Sequence, residues 1–467
     1  MGSGVWGGEM TASAVEVVCA GCGQAAAPDE LFPVRCTRRA PGDDIDHVMV
    51  RRLSGPGVRF PERDEANPFL RYRELFRAYH LARGAGWPDE RYVALVERFD
   101  EAIGRLDGHG FRVTPFGRSP ALSDRLGFGP AGGVWVKDET GNVSGSHKGR
   151  HLAGVMIELL VEEELGRRDR GSGRLAIASC GNAGLAAAVV ARAAGRGLDV
   201  FVPAGSDAAV VDRLESLGAD ITVCERAPGV PGDPTYHRLL AAVEAGAIPF
   251  TCQGNENGLV IEGGETLGFE MVSELRRTGR TLDRMVVQVG GGALASACSQ
   301  AFGEARTLGA IERLPRFDTV QTRGGWPLRR AHDRVVARFG TGPVDRRYLA
   351  THRSEFMWTW EAEPRSIAHG ILDDETYDWL AVVEAMLETG GQPIVVDETT
   401  LVEANEVAGS TTGIDADHTG TAGLAGLIEL IRRGDVRMDE TVAVIFTGVR
   451  RGLETASARP AMERSAP

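Results

Sequence analysis

From residue 110 onward, short apolar runs alternate with longer stretches in which apolar residues recur every three or four positions. The short runs VWVK (134–137), RLAIAS (174–179), LDVFVP (198–203), ADITVC (219–224), MVVQV (285–289) and TVAVIF (441–446) read as strands. Between them HLAGVMIELLVEEEL, GLAAAVVARAAG and GGETLGFEMVSELRR carry the helical period. Continuous apolar strands joined by helices predict an α/β fold on a mostly parallel sheet. Residues 65 to 107 are helical by the same test, through LFRAYHLA and YVALVERFDEAIGRL. Residues 1 to about 60 differ, holding three of the seven cysteines and a polar run from Thr37 to His47. The closing ASARPAMERSAP is expected to be disordered.

Composition narrows the function. The 467 residues are 43% hydrophobic and 25% charged, the balance of a soluble globular protein of two or three domains. A net charge of −13 argues against nucleic acid or an anionic membrane as the main partner. No run approaches the ~18 apolar residues of a membrane span, and MGSGVWGGEM lacks the basic-then-apolar order of a signal peptide. An odd number of scattered cysteines is unlike a secreted disulfide scaffold, so the expected setting is a reducing cytoplasm.

Four motifs carry candidate chemistry. Ser144-Gly145-Ser146-His147-Lys148-Gly149-Arg150 follows a strand and opens a helix whose apolar face is Leu152, Val155, Met156 and Leu159. The dipole at a helix start disfavours a cation, which suits an amine that must condense with an aldehyde; the competing reading is a solvated loop lysine. Ser179-Cys180-Gly181-Asn182-Ala183-Gly184 lies between a strand and an Ala-rich helix, where free amides suit an anion; alternatively it is an ordinary turn. Gly290-Gly291-Gly292-Ala293-Leu294 follows MVVQV, and its bare backbone can wrap a phosphate at a helix N-terminus. It has no GxGxxG spacing, and the chain holds no GxxxxGK[ST]. Phe446-Thr447-Gly448 puts a hydroxyl at the end of the last strand.

In this order the motifs resemble the fold-type II pyridoxal 5′-phosphate (PLP) enzymes, the family of threonine synthase, serine/threonine dehydratase and tryptophan synthase β. FRVTPF, KDETGNVSGSHK, SCGNAG, GNENGLVIEGGETLGFEMVSEL, VQVGGGAL, HTGTAGLAGL and IFTG carry the likeness, from Phe111 to Gly452. The resemblance implies two Rossmann-like lobes with PLP in the cleft: a larger lobe of residues 65–147 and 262–455 and a smaller mobile lobe of 148–261. An N-terminal Cys-containing extension of 1–64 and a tail of 456–467 complete the division. It implies that Lys148 is the Schiff-base lysine and carries the Cα proton, with His147 beside the phosphate. Asn182 would meet the cofactor's 3′-oxygen, and Ser179, Cys180 and Gly181 the substrate carboxylate. Gly290, Gly291, Gly292, Ala293 and Leu294 would hold the phosphate, and Thr447 the pyridine nitrogen. The chain departs from threonine synthases and dehydratases at His147, where they place Phe. VQVGGGAL leans to dehydratases, Thr447 to threonine synthase, and Cys180 is unusual at its position.

The leading expectation is a lyase that eliminates and deaminates a small hydroxy amino acid resembling Ser or Thr. Threonine synthase-like β,γ-replacement releasing phosphate from O-phosphohomoserine is the alternative. A β-replacement enzyme of specialised metabolism and a non-catalytic PLP- or amino-acid-binding protein follow. The family also implies a homodimer.

Cys19, Cys22 and Cys36 have the spacing of a zinc knuckle, but Arg39 stands where a fourth cysteine would fall. His47 or one of Asp43, Asp44 and Asp46 would have to complete the set, and a metal-free remnant is preferred over bound zinc. The Arg-rich stretch from Arg329 to Thr351 and WTW (358–360) read as a surface insertion or interface. Arg365 and His369 are equally substrate-facing or ordinary loop residues. Asp373 and Asp374 read as a solvated helix start.

Overall fold

Strands this short and this apolar become stable only when helices cover both faces, and that requirement sets the architecture. The computed structural model describes residues 15–27, 30–53, 57–226, 229–230, 232–340 and 343–451. The expected disordered tail and the first residues lie outside that range. Near the start, β1 (Val15–Cys19) and β2 (Met49–Leu53) form an antiparallel ribbon with Cys19 opposite Met49. β3 (Phe116–Arg118) and β4 (Gly133–Asp138) open the main sheet. The chain then builds a separate parallel sheet from β5 (Leu175–Ala178), β6 (Leu198–Pro203), β7 (Asp220–Cys224) and β8 (Ile248–Pro249), in the order β7-β6-β5-β8. It returns to the main sheet with β9 (Arg284–Gln288), β10 (Arg316–Thr322), β11 (Pro393–Val396) and β12 (Thr441–Phe446). The order there is β11-β10-β9-β12-β4-β3, parallel except for β3.

All six strands read from the apolar runs are present. β10 and β11 escaped that reading for different reasons. β10 buries Asp318, Thr319, Gln321 and Thr322, with Arg284 on Asp318 at 2.5 Å, so its polarity imitates a loop. β11 is only four residues long and begins with proline. No described helix is long and apolar enough to cross a membrane.

Two crossings join the sheets. The first is the helix Lys148–Glu164, which leads from β4 towards β5. Leu152, Val155, Met156 and Leu159 are buried as expected, but so are Arg150, His151, Glu158 and Glu162, so the helix is enclosed well beyond its apolar face. The second runs through residues 250–259 from β8 into the helix Val260–Thr278. The two crossing helices meet at glycines: a Cβ on Gly154 would stand 2.7 Å from the Gly263 Cα. Arg329–Thr351 is largely helical, and Arg330 lies 3.7 Å from the Trp358 ring centre and 5.0 Å from that of Trp360.

Candidate active site

Three of the four motifs follow β4, β9 and β12, adjacent parallel strands at the centre of the main sheet, and the fourth follows β5. Carboxyl ends of parallel strands leave the crevice where ligands of open α/β sheets bind. Direct contacts tie the motifs together. Ser146 bridges Gly448, and the His147 amide donates to the Thr447 carbonyl at 3.2 Å. A Cβ on Gly448 would meet Asn182 Nδ2 at 2.7 Å, so the amide lies over that glycine.

Lys148 is the first residue of its helix. No hydrogen bond or ion pair joins its ammonium to another described residue. Its charge is felt by His147, His151, Cys252, Asp373 and Asp378, which places it among the groups of this crevice. His147 is held well below the usual imidazole range by burial, then by Lys148 and His151, so it is neutral. Burial likewise pushes His151 down to about 3. The chain contains only two lysines. The other, Lys137, is fully buried, donates to the Thr114 carbonyl at 2.8 Å and pairs with Glu270.

The glycines Gly290, Gly291 and Gly292 end β9 and open the helix Ala293–Thr307, with Gly292 at φ +103°. The first amides of a helix lack intrahelical acceptors, and no described residue accepts from Ala293 or Leu294. Close packing explains the absence of side chains. Cβ atoms on Gly290 and Gly292 would strike Asp373 and Asp378, and one on Gly291 would lie 3.0 Å from Tyr377. Here the structure corrects the sequence reading: Asp373 and Asp374 lie in the loop before the helix Trp379–Thr389, and Asp373 turns into the glycine loop. Burial pushes Asp373 up to about 6, against the pull of Lys148 and the Gly291 amide. Burial and then Asp46 push Asp378 up to about 7.

Thr447 is buried, and its Oγ1 accepts from Gln288 Nε2 at 3.1 Å, leaving its own proton to donate. Asn182 Oδ1 accepts from Arg451 at 2.9 and 3.2 Å, so its Nδ2 is the end left over. Ser179 Oγ accepts from the Gly181 amide at 3.3 Å, and burial raises the Cys180 thiol, which stays protonated. Ser146 Oγ and His147 Nε2 are buried without partners among the described residues. Arg365 is exposed and pairs with Glu363 at 2.7 Å, and His369 is also exposed.

Beneath Lys148 lies a charged core that the sequence reading passed over. Arg150 has no exposed surface and bonds to Glu139 at 2.8 Å, Glu270 at 2.6 Å, and Thr266 and Thr114 at 3.0 Å. With Lys137 on Glu270, two cations face two carboxylates. The cysteine motif near the start of the chain stands apart. Cys19, Cys22 and Cys36 converge, and His47 joins them, while none of Asp43, Asp44 and Asp46 enters the cluster.

Residues 109–448 match the model of the pyridoxal-phosphate dependent enzyme family. Threonine synthase of Methanosarcina acetivorans is 25% identical over 335 residues, 72% of this chain and 74% of that protein. Among solved structures, maize serine racemase superposes with a TM-score of 0.55 at 19% identity, covering 77% of this chain and 94% of that one. L-serine ammonia-lyase from Rhizomucor miehei gives 0.54 at 18%, covering 72% and 94%. The chain belongs to the PLP-dependent enzymes of fold-type II.

The family implies PLP, and the donor set suits it. An unpartnered amine, a helix start with free amides, a spare amide N–H, a hydroxyl with a proton to give, and buried Ser146 and His147 atoms lacking partners all gather in one crevice.

Proposed function

We propose that the protein is a PLP-dependent lyase that eliminates the β-hydroxyl of a small amino acid such as serine or threonine, releasing ammonia and a 2-oxo acid. The charge around Lys148 carries this reading. Asp373 and Asp378 are among the groups that feel its charge, and Asp233 and Asp374 add negative charge beside Asp373, while the guanidiniums of Arg150 and Arg451 are turned to Glu139 and Glu270 and to Asn182. A site already holding one phosphate would meet a second, on a phosphorylated substrate, with carboxyl groups. A neutral hydroxyl meets no such penalty.

When bound, PLP supplies an electron sink for the bonds at the substrate's Cα. Lys148 would hold the cofactor through Nζ and, once the substrate amine has displaced it, would take the Cα proton on that freed nitrogen. The loop from Gly290 to Leu294 would hold the phosphate, with His147 alongside. Asn182, its Oδ1 held by Arg451, would offer Nδ2 to the 3′-oxygen, and Thr447 would offer its hydroxyl to the ring nitrogen without protonating it. Ser179, Cys180 and Gly181 would receive the substrate carboxylate. A second reading, replacement on O-phosphohomoserine, draws on the 25% identity to threonine synthases. Purified protein incubated with L-serine, L-threonine and O-phosphohomoserine decides between them. Ammonia from the first two supports the lyase, and phosphate from the third overturns it. Spectral binding without turnover on a broad amino-acid panel would leave a binding protein.

Asp373 makes the cofactor site sensitive to pH. Its carboxyl, pushed up to about 6, loses its proton as pH rises, and the resulting charge sits against the phosphate loop. PLP affinity is therefore expected to fall between pH 6 and 8, by up to about tenfold per pH unit. Asp373→Asn should flatten that profile. PLP titrations giving superimposable profiles for the two proteins would remove Asp373 from the phosphate site.

A further inference from the structure

The geometry points to a structural zinc site in the N-terminal ribbon, with Cys19, Cys22 and Cys36 Sγ and His47 Nδ1 as its four ligands. Cys19 ends β1, Cys22 follows in the turn, Cys36 comes from the loop beyond, and His47 lies two residues before β2. The turn that closes the ribbon thus brings all four to one point. Their ligand atoms lie within 4.8 Å of one another, Cys19 Sγ being 3.3 Å from His47 Nδ1 and Cys22 Sγ 3.6 Å from Cys36 Sγ. Tetrahedral zinc with Zn–S bonds of about 2.3 Å sets sulfurs about 3.8 Å apart, so the cluster needs little rearrangement.

The surroundings are those of a metal site as well. The amides of Gln24 and Arg38 face Cys22 and Cys36 from two residues further on, and the Cys22 amide faces Cys19 Sγ at 3.5 Å. Asp43 Oδ2 lies 3.1 Å from His47 Nε2, the carboxylate behind the imidazole that orients a metal-bound histidine. Arg39, standing where a fourth cysteine would complete a second CxxC, donates instead to Glu256 and the Asn255 carbonyl. His47 supplies the missing ligand from across the ribbon.

The position gives the metal a task. The Gly258 amide donates to the Val34 carbonyl at 3.0 Å, and Arg35 and Arg39 reach Glu256 at 3.1 and 3.0 Å. Asp46 binds Arg353 at 3.2 Å, and its amide donates to Ala350. The zinc loop therefore fastens residues 255–258, the second crossing between the sheets.

Metal analysis of the full chain, purified under reducing conditions, should find close to one zinc per protein. Replacing zinc with Co2+ should give thiolate charge-transfer and tetrahedral d–d bands, and X-ray absorption should show three sulfurs and one nitrogen. Cys22→Ser/Cys36→Ser should lose the metal. Asp43→Ala, which keeps every ligand, should weaken zinc binding about tenfold or more in a chelator competition. Stripping zinc should lower the melting temperature. Wild type that arrives metal-free and takes up neither zinc nor Co2+ after reduction would overturn the site. So would a Cys22–Cys36 disulfide found in the reduced-purified protein, or an absorption spectrum lacking nitrogen.

Discussion

Lys148→Ala is expected to yield a folded protein that binds PLP without the visible band of a lysine-linked cofactor and that has lost about 10³-fold or more of its activity. The side chain makes no hydrogen bond or ion pair with a described residue, so its removal should leave the fold intact by circular dichroism and melting. Borohydride reduction of wild type followed by peptide mapping should place the cofactor on Lys148 alone. The alternative lysine is enclosed: Lys137 is fully buried and committed to Glu270 and Thr114. A variant that keeps the band, or a wild type that stays colourless with added PLP, would sink the assignment.

The second large effect concerns stability. Arg150→Met should cost about 3–5 kcal/mol, read from urea or thermal unfolding. Arg150 is fully buried two residues beyond Lys148, and its guanidinium serves Glu139 and Glu270 together. Burial alone would raise the Glu139 carboxyl, yet Arg150 and Lys137 more than reverse that and hold it below the usual range. Removing Arg150 leaves two carboxylates facing only Lys137, with no water to screen them. Adding Glu139→Gln should recover part of the loss, since charge balance returns. A single variant within about 0.5 kcal/mol of wild type would show that the network is dispensable.

These two sites show what the sequence could and could not reveal. Lys148, the glycine loop and Thr447 sit where apolar strands end, and strand ends are legible because a buried strand is a run of apolar residues. Burial of charge has no such signature. Arg150, Glu139 and Glu270 look like ordinary surface residues until three separate segments enclose them. Asp373 misled for the same reason: an acidic pair implies water unless the chain bends back onto a loop more than 80 residues earlier in the sequence. Among the metal candidates, spacing could not choose His47 over three aspartates, because the ribbon's register makes that choice. A count of lysines would have narrowed the Schiff-base search to two positions at once.

That scarcity has a practical consequence. Since Lys137 is sealed in the core, Lys148 is the one side-chain amine that reagents can reach in the folded protein. Acylating agents then become an occupancy gauge: cofactor-free molecules take up a single tag on that side chain, loaded molecules resist it, and the ratio in a mass spectrum counts the holoenzyme.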